Sequence, residues 1–203
     1  MRRRAPVGRC RFRSGDDELG AALVELAVML VLVIVIAFGI VEFGSAWNRK
    51  LQMETASRAG SRVGSSLGNT RLADYGLLQA VKSALNDIGL GNVDYVVVFK
   101  STTANGDRPA GCDGNSPTSQ LGSCNVYTGS YLQTMSQSDF TGTTSCTGTS
   151  PDRFWCPTTR QNVQSIGADY LGVWVRARYV TITNVFNSPF YLSSAAVMRL
   201  EPK

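Results

Sequence analysis

GAALVELAVMLVLVIVIAFGIVEFG, running from Gly20 to Gly44, decides how the rest of this chain is read. No other stretch is apolar enough to belong in a membrane. Leu26 to Val41 is sixteen residues without a charge. With Ala21–Val24 in front and Phe43 to Trp47 behind, it is long enough to span, at about 1.5 Å per residue. The run is rich in Val and Ile, yet its length predicts a helix rather than a strand. Trp47, followed by Arg49 and Lys50, reads as an interfacial aromatic with basic anchors. One carboxylate, Glu25, lies near the start, where a plain anchor has none.

Upstream, residues 1–20 hold six arginines and three acids, a net of +3, which leaves +2 of the total +5 for the remaining 183 residues. The leader resembles the charged beginning of a secretory signal. No A-x-A cleavage site follows the apolar core, and the arginines favour a cytoplasmic N-terminus with the C-terminal part exported. Beyond residue 20 no basic stripe with interleaved aromatics appears, so the basic balance does not imply nucleic-acid binding. The expected division is a basic leader (1–20), a transmembrane helix (21–47) and an extracytoplasmic domain (48–203).

The chain has no histidine. Ser-His-Asp and Cys-His nucleophile schemes are thereby excluded, as is any metal site that needs imidazole. No organised constellation of acids replaces them, and the reading is a non-enzyme without a cofactor or metal. Asp107 and Asp113 sit among glycines without the oxygen-ligand spacing of a calcium loop.

Five cysteines are present. Cys10 precedes the apolar run; Cys112, Cys124, Cys146 and Cys156 follow it. One odd cysteine inside and an even exported set is the distribution expected for two disulfides in an oxidising compartment. Four cysteines allow three pairings, of which the local one, Cys112–Cys124 with Cys146–Cys156, is favoured. A four-thiolate zinc site is disfavoured because neither pair has short C-x₂₋₄-C spacing.

Past the membrane the helical pattern continues to about Gly64. Ala56, Gly60, Gly64 and Gly68 recur every fourth residue, a spacing that lets another backbone approach closely; equally, Gly64 and Gly68 fray a helix end. Leu72, Tyr75, Leu78, Val81, Leu85 and Ile88 predict a second helix, capped by Asn69 or Thr70 and ended by Gly89 or Gly91. Asn92–Lys100, NVDYVVVFK, is the best strand. Residues 101–160 are rich in Gly, Ser, Thr, Asn and Pro and read as a long loop, in which disulfides would offset part of the ordering cost. Val163–Tyr170 is read as a short helix, Gly172–Thr183 as an alternating strand and Ser194–Glu201 as a final strand, after a break at Asn187-Ser188-Pro189. The fold class is α+β: a long N-terminal helix continuing into a domain of a second helix on a small, mostly antiparallel sheet of three or four strands, with a disulfide-stapled loop.

Position alone leaves Glu25 open between a shallow residue reaching the headgroups and a functional charge. A carboxylate within a lipid-embedded helix costs about 2.5–3.5 kcal/mol on insertion scales and usually has a partner. Gly20 tips the balance. A cut after it would create an α-amino group on Ala21, and residues 21 and 25 share a helix face. That ammonium, on this chain or a neighbour, is a suitable counter-ion.

The leader, Gly20, the apolar helix and Glu25 resemble the prepilin processing signature of type IV pilins. More specifically, Asp17-Glu18-Leu19-Gly20-Ala21-Ala22-Leu23-Val24-Glu25-Leu26-Ala27, then Phe38 to Gly44, then Ala56-Ser57-Arg58-Ala59-Gly60-Ser61-Arg62, resemble the TadE-like family of minor pilins or pseudopilins in tight-adherence pilus systems. Ala195 to Glu201 is similar to that family's last strand. The family often has a proline midway along the helix; here that region reads Met29-Leu30-Val31. The resemblance implies cleavage between Gly20 and Ala21 by a prepilin peptidase, and a retained membrane anchor. It also implies a role for Glu25 in recruiting or registering neighbouring subunits of the pilus and its assembly machinery. Localisation is then the cell membrane, with the pilus as a further site. The competing reading is an uncleaved, membrane-anchored surface protein that binds or adheres through its stapled loop.

Overall fold

The computed structural model describes residues 14–141, 146, 148–163, 165, 167–182 and 189–202. The chain divides into two compact units, residues 1–43 and 44–203. Helix α1, Ser14–Leu67, supplies the described structure of the first unit and the opening helix of the second.

In the first unit the side chains from Gly20 onward are almost all exposed. Leu23, Val28, Val31 and Ile40 are all more than 60% open, and the most apolar window, of mean hydropathy 3.0, is not buried at all. No protein core accounts for so continuous an apolar surface, whereas lipid does. Lipid also explains why Val and Ile are helical here: without water, the backbone must satisfy its own hydrogen bonds within the segment.

The second unit is a helix pair laid on a four-stranded sheet. After α1 come α2, Ala73–Ala84, then β1, Val93–Ser101, and β2, Cys124–Thr128. A short helix α3, Gly129–Thr134, follows β2, and β3, Tyr170–Tyr179, and β4, Phe190–Arg199, complete the order. The strands lie in the order β2-β1-β3-β4, with every neighbouring pair antiparallel.

Side-chain alternation along the strands divides the interior in two. Val96 and Val98 of β1 and Leu171, Val173, Val175 and Ala177 of β3 face Met53 and Ala56 of α1 and Leu77, Leu78 and Val81 of α2. Val97, Phe99 and Trp174 point to the opposite face, where the Cys112–Cys124 disulfide covers them. Strand β1 is thus buried on both faces, which is why its sequence is a continuous apolar run rather than an alternation.

α1 ends where Gly68 turns left-handed, φ +58°, and its N–H bonds the Gly64 carbonyl at 3.0 Å. Glycine adopts this conformation without the Cβ penalty, so Gly68 is a C-terminal cap rather than a packing residue. α2 starts later than the sequence predicts: its N-cap is Leu72, with no side-chain cap bond. Asn69 is engaged elsewhere, with Asn162, and tertiary packing of the α2 face substitutes for the missing cap. The helix also stops at Ala84, short of Gly89.

Two further expectations are corrected. Residues 101–160 are not one loop, because Cys124–Thr128 pairs with β1 from Tyr95 to Phe99 and α3 follows it. Five residues, two of them Asn and Cys, give too weak a strand signal on their own. Nor is Val163–Tyr170 a helix throughout: residues 167–169 have no regular structure and Tyr170 opens β3. Asn187 and Ser188, part of the expected break before β4, lie outside the described residues.

Candidate assembly site

Gly20, Ala21 and Glu25 lie on α1, with Ala21 and Glu25 one turn apart and Val24, Val28 and Met29 beside them. A Cβ at Gly20 would meet nothing within 4 Å. Among the described residues no ion pair involves Glu25, and its side chain is exposed on an otherwise apolar helix. Within one copy of the chain, then, nothing described here neutralises this carboxylate.

The small residues further along α1 have a different setting. A Cβ at Gly60 would come within 2.5 Å of Val81 Cγ2, and one at Gly64 within 2.6 Å of Leu77 Cδ1 and 3.0 Å of Leu171 Cδ2. Ala56 is fully buried in the same core. Ser57, Ser61 and Ser65 fall at the next positions of each turn and are also buried. Ser65 Oγ donates to the Arg199 carbonyl at 2.6 Å, the Glu201 N–H donates to the Ser65 carbonyl at 3.1 Å, and Ser57 and Ser194 hydroxyls meet at 3.3 Å. Ala56, Gly60 and Gly64 thus seat α1 against α2 and the β3–β4 side of the sheet within this domain. Arg49 and Lys50 also face the domain: the Arg49 guanidinium lies over the Tyr179 ring at 5.2 Å, and Lys50 donates to the Ser193 carbonyl.

The cysteines pair Cys112 with Cys124 and Cys146 with Cys156. Each bridge ties loop to sheet or to buried loop: Cys124 opens β2, and Cys156 follows the buried Trp155. Around that tryptophan lies a polar network that the sequence reading missed. The Asp74 and Arg160 side chains are fully buried and form an ion pair at 2.6 Å. The other Asp74 oxygen accepts from Tyr127 Oη at 2.7 Å and Asn125 Nδ2 at 2.9 Å. Asn125 Nδ2 also donates to the Trp155 carbonyl, and its Oδ1 accepts from the Trp155 N–H, both at 2.9 Å.

Nε and Nη1 of Arg160 have no hydrogen-bond partner among the described residues. The guanidinium instead lies on the Trp155 ring at 4.2 Å, where the ring's quadrupole offsets part of the desolvation. Burial, reinforced by the charge of Asp74 and the hydrogen bond to it, pushes the Tyr127 hydroxyl well above the ordinary tyrosine value, so it stays a donor. The network joins α2, β2 and the loop into one body. Asp74 lies 51 to 86 residues before its partners Asn125, Tyr127 and Arg160, so no local motif marks them.

Among the described residues, no group of three Cys, Asp or Glu side chains is placed to hold a metal ion.

The family model of the TadE-like protein matches residues 20–62, the segment from Gly20 through the small-and-arginine motif. No curated protein matches the chain, and no solved structure does. The match agrees with the resemblance carried by Gly20, Glu25 and Ala56–Arg62. Together with a helix that, among the described residues, is long and apolar enough to cross a membrane, it supports a membrane protein of a pilus-related family.

Proposed function

We propose that the chain is a minor pilin or pseudopilin that acts in the assembly of a tight-adherence pilus after prepilin peptidase cleavage following Gly20. One observation carries this reading. Glu25 is the only charge from Ala21 to Val41, it sits exposed on an apolar helix five residues after Gly20, and the TadE-like match covers it.

In this reading residues 1–20 remain cytoplasmic, residues 21–47 span the membrane and residues 48–203 are exported. The peptidase cuts between Gly20 and Ala21 and leaves an ammonium on Ala21. An uncompensated carboxylate in lipid costs about 2.5–3.5 kcal/mol, so helices that bring that ammonium to Glu25 of a neighbour are favoured over other registers. The chain is a peptidase substrate and a structural component, not an enzyme.

Peptide mapping of the membrane-extracted protein tests the cut. The expected mature terminus is Ala21; an intact Met1, or a terminus beyond Gly44, would sink the reading. Glu25→Ala tests the charge and is expected to impair pilus assembly while membrane insertion and cleavage persist. An uncleaved surface-binding protein would show neither effect.

A further inference from the structure

The hairpin of β3 and β4 ends in a patch of exposed apolar side chains. Tyr179 pairs with Phe190, their rings 4.8 Å apart. Beyond that pair Val180 is 51% and Ile182 67% exposed, and Phe190 and Tyr191 on the returning strand are 37% and 53% exposed. From Val180 to Ala195 the sequence carries no charged residue. Arg176 lies over the Tyr191 ring at 4.2 Å, but Val180 and Ile182 stay open, and water is a poor environment for such a hairpin end.

Two contacts hold this end against a particular turn of α1. Arg49 lies over Tyr179 and Lys50 donates to the Ser193 carbonyl. In the chain, Trp47 and Lys50 follow Phe43, the last apolar residue of the first unit, by four and seven residues. By chain connection alone the hairpin end is fastened to the turn where a membrane helix leaves hydrocarbon for headgroups. The surrounding chemistry fits that layer. Trp47 is exposed, as are Tyr191 and Arg178. Arg49, Lys50 and Arg178 supply cations, and no acid occurs in residues 43–50 or 178–195. Aromatic rings with a polar edge, together with Lys and Arg, are the residues enriched at bilayer interfaces.

We infer that the β3–β4 hairpin end, through Val180, Ile182 and Phe190, docks into the phospholipid headgroup layer. The second unit thereby gains a lipid contact of its own in addition to its tether. This inference rests on the membrane reading of residues 21–47. A protein neighbour is disfavoured, because the chain itself fixes this end close to the membrane boundary.

Depth-dependent quenching of tryptophan decides the matter in the full chain. The background is Trp47→Phe, in which the two remaining tryptophans, Trp155 and Trp174, are buried and give a constant baseline. Ile182→Trp and, separately, Phe43→Trp are added. Each protein is reconstituted into vesicles of phosphatidylcholine and phosphatidylglycerol, with or without bromine on the upper acyl carbons. The expected result is that both added tryptophans lose most of their emission in brominated vesicles. Ile182 is 67% exposed, so its replacement is expected to leave the fold intact, as retention of both disulfides would verify. Quenching at position 43 without quenching at 182 would overturn the hairpin docking while leaving the membrane helix standing. A blue-shifted but unquenched position 182 would also overturn it and assign the patch to a protein neighbour. Absence of quenching at both positions would remove the membrane reading and this inference together.

Discussion

Asp74 is the residue on which the interior of the second unit turns. It has no solvent, one guanidinium from a loop and two neutral donors from strand β2. Removing one partner of such a pair strands the other charge, at a cost of about 3–5 kcal/mol. Asp74→Ala is accordingly expected to lower the urea midpoint far more than substitution of the exposed Asp113. Asp152 lies at the edge of the same network. Its carboxyl is raised above the ordinary aspartate value, chiefly by burial, with the Asp74 charge adding and the Ser150 hydrogen bond opposing. Between the ordinary and the raised value the folded chain holds a proton that the unfolded chain has lost. This group's contribution therefore grows as pH falls through that window and shrinks as it rises. The stability of the wild type minus that of Asp152→Asn should rise as pH is lowered from about 7 to about 4. A signed difference that falls over that range would contradict the assignment. Asp139, held below the ordinary value chiefly by the Ser136 N–H, works in the opposite direction and is present in both proteins, so the subtraction removes it.

Among the elements, the two disulfides hold what local pattern does not. Strand β2 has five residues and only one partner strand, β1. The Cys112–Cys124 bridge anchors its first residue, and the Cys146–Cys156 bridge holds the segment whose Trp155 bonds Asn125 of β2. Each closes a loop of 12 or 10 residues in separation, the range in which a bridge contributes about 3 kcal/mol. Cys146→Ser with Cys156→Ser should speed amide exchange in β2 and α3 and leave the β1–β3 pairing protected, as read by hydrogen exchange. Loss of protection across the whole sheet would show instead that the loop belongs to the folding core. α1 makes the complementary point. Its apolar half is legible from composition, because almost every side chain there faces one solvent. The setting of Gly60 and Gly64 is not, because fourth-residue spacing is common to helices that meet another chain and helices that meet their own domain.

At the scale of the molecule, the division at residue 43 separates two kinds of stability. The second unit buries its own core of helices and sheet, whereas the first exposes an apolar helix and buries none of its most apolar window. A fragment beginning at Gly44 is expected to be monomeric in detergent-free buffer, with both disulfides formed and a cooperative urea transition. The full chain should require detergent or lipid. Aggregation of the fragment, seen by size-exclusion chromatography, would show that the second unit depends on the first.

By itself the sequence determined the membrane helix, the Gly20–Glu25 signature, the second helix and three of the four strands. These are properties of local periodicity and composition, and periodicity is set by backbone geometry alone. Only the tertiary structure decided that Cys124–Thr128 is a strand, that Gly60 and Gly64 are filled by Val81, Leu77 and Leu171, and that Asp74 meets Arg160 86 residues away. It likewise brought Arg49 and Lys50, which read as membrane anchors, to Tyr179 and Ser193 at the hairpin end. In each case the deciding energy is a contact between residues remote in the chain, and its partner cannot be identified until the backbone has brought the two together.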